Sequence, residues 1–145
     1  MPRILLPVDG SEASMRAVRH VIGLKAEFKN KPEVLLLNVQ PPVPMKLLLL
    51  DGRPSEIHKL EEPPRAHGAE LQAAAKAALD GAGIENTPHV EIGETAPAIA
   101  GFARTHHCEM IVMGTRGLGS LAGLCLGSVA HKVVHLASAP VLLVP

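Results

Sequence analysis

The chain has 145 residues, 47% of them hydrophobic and 19% charged, and its 14 basic and 14 acidic side chains cancel to a formal net charge of zero. That is the composition of one ordinary globular domain with enough chain to bury a substantial core. It excludes the basic footprint of a nucleic-acid or anionic-membrane binder. With no Trp or Tyr, and Phe28 and Phe102 as its aromatic residues, it also lacks a stacking platform for single-stranded bases.

The opening, MPRILLPVDGSE, reaches Asp9 and Gly10 too soon for a signal-peptide core, and no run approaches the roughly 18 apolar residues of a membrane span. Cys108 and Cys125 do not make a disulfide framework. The expected compartment is the cytoplasm.

In chain order, RILLPV (3–8) is a short apolar run, and DGSEASMRAVRHVIGL follows it with Ser11 as an N-cap and Ala17, Val18, Val21 and Ile22 at helical spacing. EVLLLNV (33–39) predicts a second buried strand. An Ala-rich helix is expected over 64–83, stopping at Gly81 and Gly83. HVEIG (89–93) is a weaker strand, 96–107 a helix, EMIVMG (109–114) a strand, about 128–138 a helix, and PVLLVP (140–145) the last strand. Five strands alternating with four helices predict an α/β fold: an open parallel sheet covered by helices on both faces, Rossmann-like, in one domain over 1–145.

Residues 41–63, PPVPMKLLLLDGRPSEIHKLEEP, interrupt the alternation with five prolines and four consecutive leucines. They read either as an irregular connection packing its leucines on the sheet edge or a helix, or as a flap beside a ligand or partner.

The stretch GTRGLGSLAGLCLGS (114–128) follows the fourth strand and leads into the fourth helix. There an α/β sheet presents backbone N–H groups to an anion, and Gly114, Gly117 and Gly127 would let the backbone approach a phosphate chain without a Cβ in the way. Ser128 is expected to cap the helix and to offer its hydroxyl to the same phosphate. Loop glycines needed only for positive φ angles are the plainer alternative.

Gly114-x-x-Gly117, nine residues, then Gly127-Ser128 resembles the ATP-binding signature of the universal stress protein family. ILLPVDGS resembles that family's first strand and turn, NVQP the end of its second strand, EMIVMGTRG its fourth, and LGSVAHKVVHLASAPVLLVP its closing helix and strand. The likeness covers nearly the whole chain, although 41–88 matches only in layout.

The resemblance implies strand order 3-2-1-4-5, a homodimer, and bound ATP where the full glycine signature is present. By position, Pro7, Val8 and Asp9 would line the site, with Asp9 holding ribose or a metal such as Mg. Val39 would meet adenine through its backbone. Met113, Gly114, Arg116 and Gly117 would surround ribose and phosphates, and Gly127, Ser128 and Val129 would complete the phosphate cradle. Two of these roles have a plainer counterpart: Asp9 helping Ser11 cap the first helix, and Arg116 as a surface cation rather than a phosphate fork.

No G-x-x-x-x-G-K-[ST], G-x-G-x-x-G after strand one, or G-x-S-x-G occurs, and no base stands out to activate water, so slow or no hydrolysis is expected. His131 and His135 share a helix face without a visible third metal ligand. The leading reading is an ATP-binding stress-response or signalling module whose nucleotide sets conformation or partner choice. A slow ATPase or nucleotide-dependent transferase, and a structural dimer without ligand, remain as alternatives. The homodimer is expected to form through the last strand, Val141, Leu142, Leu143 and Val144, an apolar edge that no lysine guards.

Overall fold

Apolar runs that alternate with amphipathic ones form strands and crossover helices in turn. The structure is a computed structural model that describes residues 1–42, 57–115 and 126–145, side chains at 57–61 aside. Its elements are β1 (Arg3–Pro7), α1 (Glu12–Gly23), a 3-10 turn over Leu24–Glu27, β2 (Glu33–Gln40), α2 (Ile57–Gly81), β3 (Glu85–Ile92), α3 (Thr95–Thr105), β4 (Met110–Gly114), α4 (Ser128–Leu136) and β5 (Val141–Val144). All ladders among them are parallel, in the order β3-β2-β1-β4-β5, which is the order the resemblance implied.

The two-residue side-chain period of a strand divides the core into two layers. Ile4, Leu6, Val34, Leu36, Val112 and Val144 pack with Ala17, Val18 and Val21 of α1 and with Ala75 and Leu79 of α2. Leu5, Leu35, Leu37, Ile111 and Met113 point the other way, onto Ile99, Phe102 and Ala103 of α3 and Ala130 and Val133 of α4. Burial on both faces is why the central strands read as unbroken apolar runs.

Four boundaries differ from the sequence expectation. Helix α2 begins at Ile57, not 64, and runs across Pro63 and Pro64. Those prolines lack N–H groups, which costs the helix two i→i−4 bonds but does not end it. Strand β3 is eight residues long, although ENTPHVEI is too polar to look like a strand, because an edge strand needs a ladder on one side only. Helix α4 ends at Leu136, where Ala137 turns extended ahead of Pro140. The turn over Leu24–Glu27 carries no buried side chain and so left no periodic signal. Most of the 41–63 connection lies outside the described residues.

Candidate functional site

Strand β1 ends at Pro7, and Val8 is buried in the α1/α2 layer, so both offer the C-terminal edge of the sheet mainly backbone. Asp9 opens the turn into α1. One of its carboxylate oxygens, Oδ1, accepts the Ser11 N–H at 2.9 Å, while Ser11 Oγ accepts the Ser14 N–H at 3.1 Å as the expected cap. Gly10 between them has φ +82°, a left-handed conformation that side chains rarely adopt.

Strand β4 lies beside β1, with Ile4 paired to Met110 and Leu5 to Ile111, so its end reaches the same edge. Met113 turns its side chain into the α3/α4 layer. Gly114 turns the other way, and a Cβ there would stand 2.8 Å from the carbonyl carbon and oxygen of Ala13. The bare backbone of Gly114 is therefore needed by α1, which crosses against it. The sequence alone shows the residue as room for a phosphate or as a loop glycine of positive φ, not as the point where a helix crosses.

Thr115 ties three elements together. Its N–H donates to the Val144 carbonyl at 3.0 Å, and its carbonyl accepts the Gly127 N–H at 2.7 Å. That second bond brings the start of α4 back to the end of β4. Gly127, not Ser128, occupies the N-cap position, since its carbonyl takes the His131 N–H at 3.0 Å, and as a glycine it brings no side chain to cap the helix. Ser128 is the first helical residue, which leaves its hydroxyl uncommitted to capping. Val129 rests partly on the α3/α4 layer. Arg116 and Gly117 lie outside the described residues.

On the other side of β1, Val39 sits near the end of β2, half-buried against the α3/α4 layer. Its neighbour Asn38, which the sequence reading passed over, is 2% exposed and donates from Nδ2 to the Val8 carbonyl at 2.7 Å. The signal was a single amide in the otherwise apolar run VLLLNV (34–39).

The remaining chemistry-bearing side chains gather elsewhere. At the opposite end of the sheet, Arg3 Nε meets Glu33 Oε2 at 2.7 Å and Arg3 Nη1 donates to the His106 carbonyl at 2.9 Å. Nearby, His106 stacks on Phe102 with ring centroids 3.8 Å apart, and His89 meets Phe102 edge-on at 5.0 Å. Burial, reinforced by His106, pushes the His89 pKa down, while burial pushes the Cys108 thiol up against the pull of Arg3. His131 and His135 pack edge-to-face at 4.8 Å on α4. Among the described residues no three His, Cys, Asp or Glu side chains converge as a metal site would require.

The universal stress protein family model matches residues 1–145. The chain belongs to that family. A universal stress protein of Thermus aquaticus is 38% identical over 97% of this chain and 96% of its own length. One from Methanocaldococcus jannaschii is 34% identical over 98% of this chain and 81% of its own length. The universal stress protein UspA of Lactobacillus plantarum shares the fold with a TM-score of 0.79, at 20% identity over 99% of this chain and 97% of that one. Further members with the same fold were solved with nucleotides. A family protein of Arabidopsis thaliana has AMP bound (TM-score 0.70, 17% identity, 99% of this chain and 91% of that one). The Archaeoglobus fulgidus protein is in complex with dAMP (0.62, 22%, 100% and 98%). Another universal stress protein is in complex with cAMP (0.63, 22%, 99% and 96%).

Proposed function

We propose that this universal stress protein binds ATP across the C-terminal ends of β2, β1 and β4, and that the bound nucleotide sets its conformation or choice of partner. The observation that carries this reading is the Thr115–Gly127 hydrogen bond, which brings a glycine-started helix N-terminus to the strand ends beside the Asp9 turn. The first-turn N–H groups of α4 have no side-chain acceptor from the cap residue, and the helix dipole favours an anion there. Asp9 would take ribose hydroxyls or a Mg ion, Val39 would offer its backbone to adenine, and Gly114 would lie along the ribose. Ser128 and Val129, with Arg116 and Gly117, would close on the phosphates. The nucleotides held by other members, AMP, dAMP and cAMP, support the same class of ligand.

The protein would act in the cytoplasm as a homodimer joined at β5. Exposed Val134 and Leu136 on α4, just ahead of that strand, support an apolar contact beside it. No helix among the described residues is long and apolar enough to cross a membrane.

Gly127→Val tests the site cleanly. Gly127 has φ −59° and ψ 151°, a conformation valine adopts without strain, so any loss reports crowding rather than backbone distortion. Calorimetry should show ATP affinity reduced about tenfold or more, the scale of a lost phosphate contact. Undiminished affinity would remove the phosphates from α4. Mass spectrometry of nucleotide released from purified protein then identifies what the cell supplies.

A further inference from the structure

The β1–β2 ladder stops early, and one side chain accounts for it. Pairing ends at Pro7↔Leu37, while β2 continues three residues further against β3, to Gln40↔Ile92. The Val8 N–H still reaches the Leu37 carbonyl at 2.8 Å. A continuing parallel ladder would next join the Val39 N–H to the Val8 carbonyl. Instead that carbonyl accepts from Asn38 Nδ2 at 2.7 Å, on the α2 side of the sheet.

The amide is fixed in this orientation. Asn38 Oδ1 accepts from Gln40 Nε2 at 2.7 Å, which turns Nδ2 toward Val8. Helix α2 presses from above at Gly68, where a Cβ would come within 2.8 Å of Asn38 Oδ1 and of Val90 Cγ1. A buried amide held at both ends replaces the backbone donor. No described residue accepts from the Val39 N–H, which belongs to the row of β2 peptide groups that face β1.

We infer that Asn38 is a positioning residue for nucleobase recognition: by holding the Val8 carbonyl out of the ladder, it opens β1 from β2 and leaves the Val39 peptide edge available to pair with an adenine. This rests on the nucleotide reading above and deepens it. A purine edge with adjacent donor and acceptor suits a strand's free backbone, and pairing there needs no side chain. That fits a site whose nearby side chains, Val8 and Val39, pack into the core layers.

The test separates base from phosphate. Asn38→Leu removes the donor at similar volume, so the Val8 carbonyl returns to the Val39 N–H. ATP affinity should fall about tenfold, as expected for one or two lost hydrogen bonds, while inorganic tripolyphosphate binds as it does to the wild type. Equal losses for both probes, or no loss for either, would overturn the inference. A wild type that binds neither would instead overturn the nucleotide reading itself. A measurement on the unmutated protein stands in if the variant does not fold. The Val39 amide should exchange quickly without ligand and slow with ATP but not with tripolyphosphate, and a Val39 amide already protected without ligand would refute the claim.

Discussion

The two edges of the sheet solve the same problem in opposite ways. In β3, the Gly93 N–H donates to the Gln40 carbonyl, so odd-numbered residues turn their peptide groups toward β2 and even-numbered ones turn outward. Pro88 stands on the outward parity, where its missing N–H deletes a donor from the open side without touching the ladder. Two residues on, Arg65 Nη1 occupies the outward Val90 carbonyl at 2.9 Å. Glu85 and Glu91 add charge. In β5, Ile111 donates to the Pro140 carbonyl and Thr115 to that of Val144, so Val141 and Leu143 face outward. No described residue pairs with them, and VLLV carries no charge. An unpaired strand edge recruits another chain unless something blocks it. Among the described residues one edge is blocked twice over and the other is left open, so the proposed dimer would form through β5 and not through β3.

Copying the β3 device onto β5 should break this asymmetry most completely. Leu143→Pro deletes an outward N–H while sparing the bonds to β4, and it should weaken the β5-joined dimer about 100-fold, or roughly 3 kcal/mol. Sedimentation would show a monomer where the wild type is dimeric. A wild type already monomeric at high micromolar concentration would end the idea that β5 pairs. The reverse substitution, Pro88→Val, restores a donor and a good strand former to β3. It should raise self-association about tenfold, seen by light scattering as species larger than the dimer. If Pro88→Val leaves the mass distribution unchanged, Pro88 is not what guards that edge.

Their legibility in the sequence differed for the same reason. VLLV reads as a strand because apolar residues fill both faces, and RILLP, EVLLLNV and MIVM do likewise, so the alternation of strands and helices could be anticipated, while the strand order came from the family resemblance. ENTPHVEI could not be read in full, since the proline and charges that protect it are the features that argue against a strand. At the strand ends, the Ser11 cap and the helix start at Gly127-Ser128 were visible as local signals, although Gly127 rather than Ser128 takes the cap position. Gly114 was visible as part of the glycine signature but not as the residue α1 crosses; its crossing with Ala13 joins residues far apart in sequence. Asn38 was missed because its partner, a backbone carbonyl 30 residues away, leaves no mark in the sequence.

Acid should weaken β3 selectively. His89 lies on that strand, and its folded-state pKa is lowered by burial and by His106, against opposing pulls from Glu91 and Glu33. The unfolded chain then binds the proton more readily, so the stabilisation from a neutral His89 is complete above the ordinary histidine pKa of about 6.5 and declines as pH falls below it. Thermal melts should show a smaller acid-induced drop for His89→Gln than for the wild type between roughly pH 7 and 5. Parallel pH profiles for the two proteins would show that His89 does not contribute. Strand β5 has no titratable residue, so its outward amides should keep their protection relative to the intrinsic exchange rate through the same range.

The smallest effect sharpens the comparison by asking whether the two guards of β3 are equivalent. Arg65 donates to a carbonyl on an exposed edge, and a solvent-exposed hydrogen bond contributes about 0.5 kcal/mol, which for a chain of this size lowers the melting temperature by only about 1–2 °C. Arg65→Ala frees an acceptor, yet Pro88 still deletes the neighbouring donor, so an incoming strand finds no regular ladder to join. Alone, then, Arg65→Ala should leave the assembly state unchanged. Combined with Pro88→Val it should increase association beyond that of the single Pro88→Val variant, because the outward N–H introduced at position 88 and the Val90 carbonyl become available together. The double-mutant cycle therefore yields a coupling, not a sum. If Arg65→Ala by itself promotes assembly as strongly as Pro88→Val, the proline is not the primary block and the ranking of the two guards reverses.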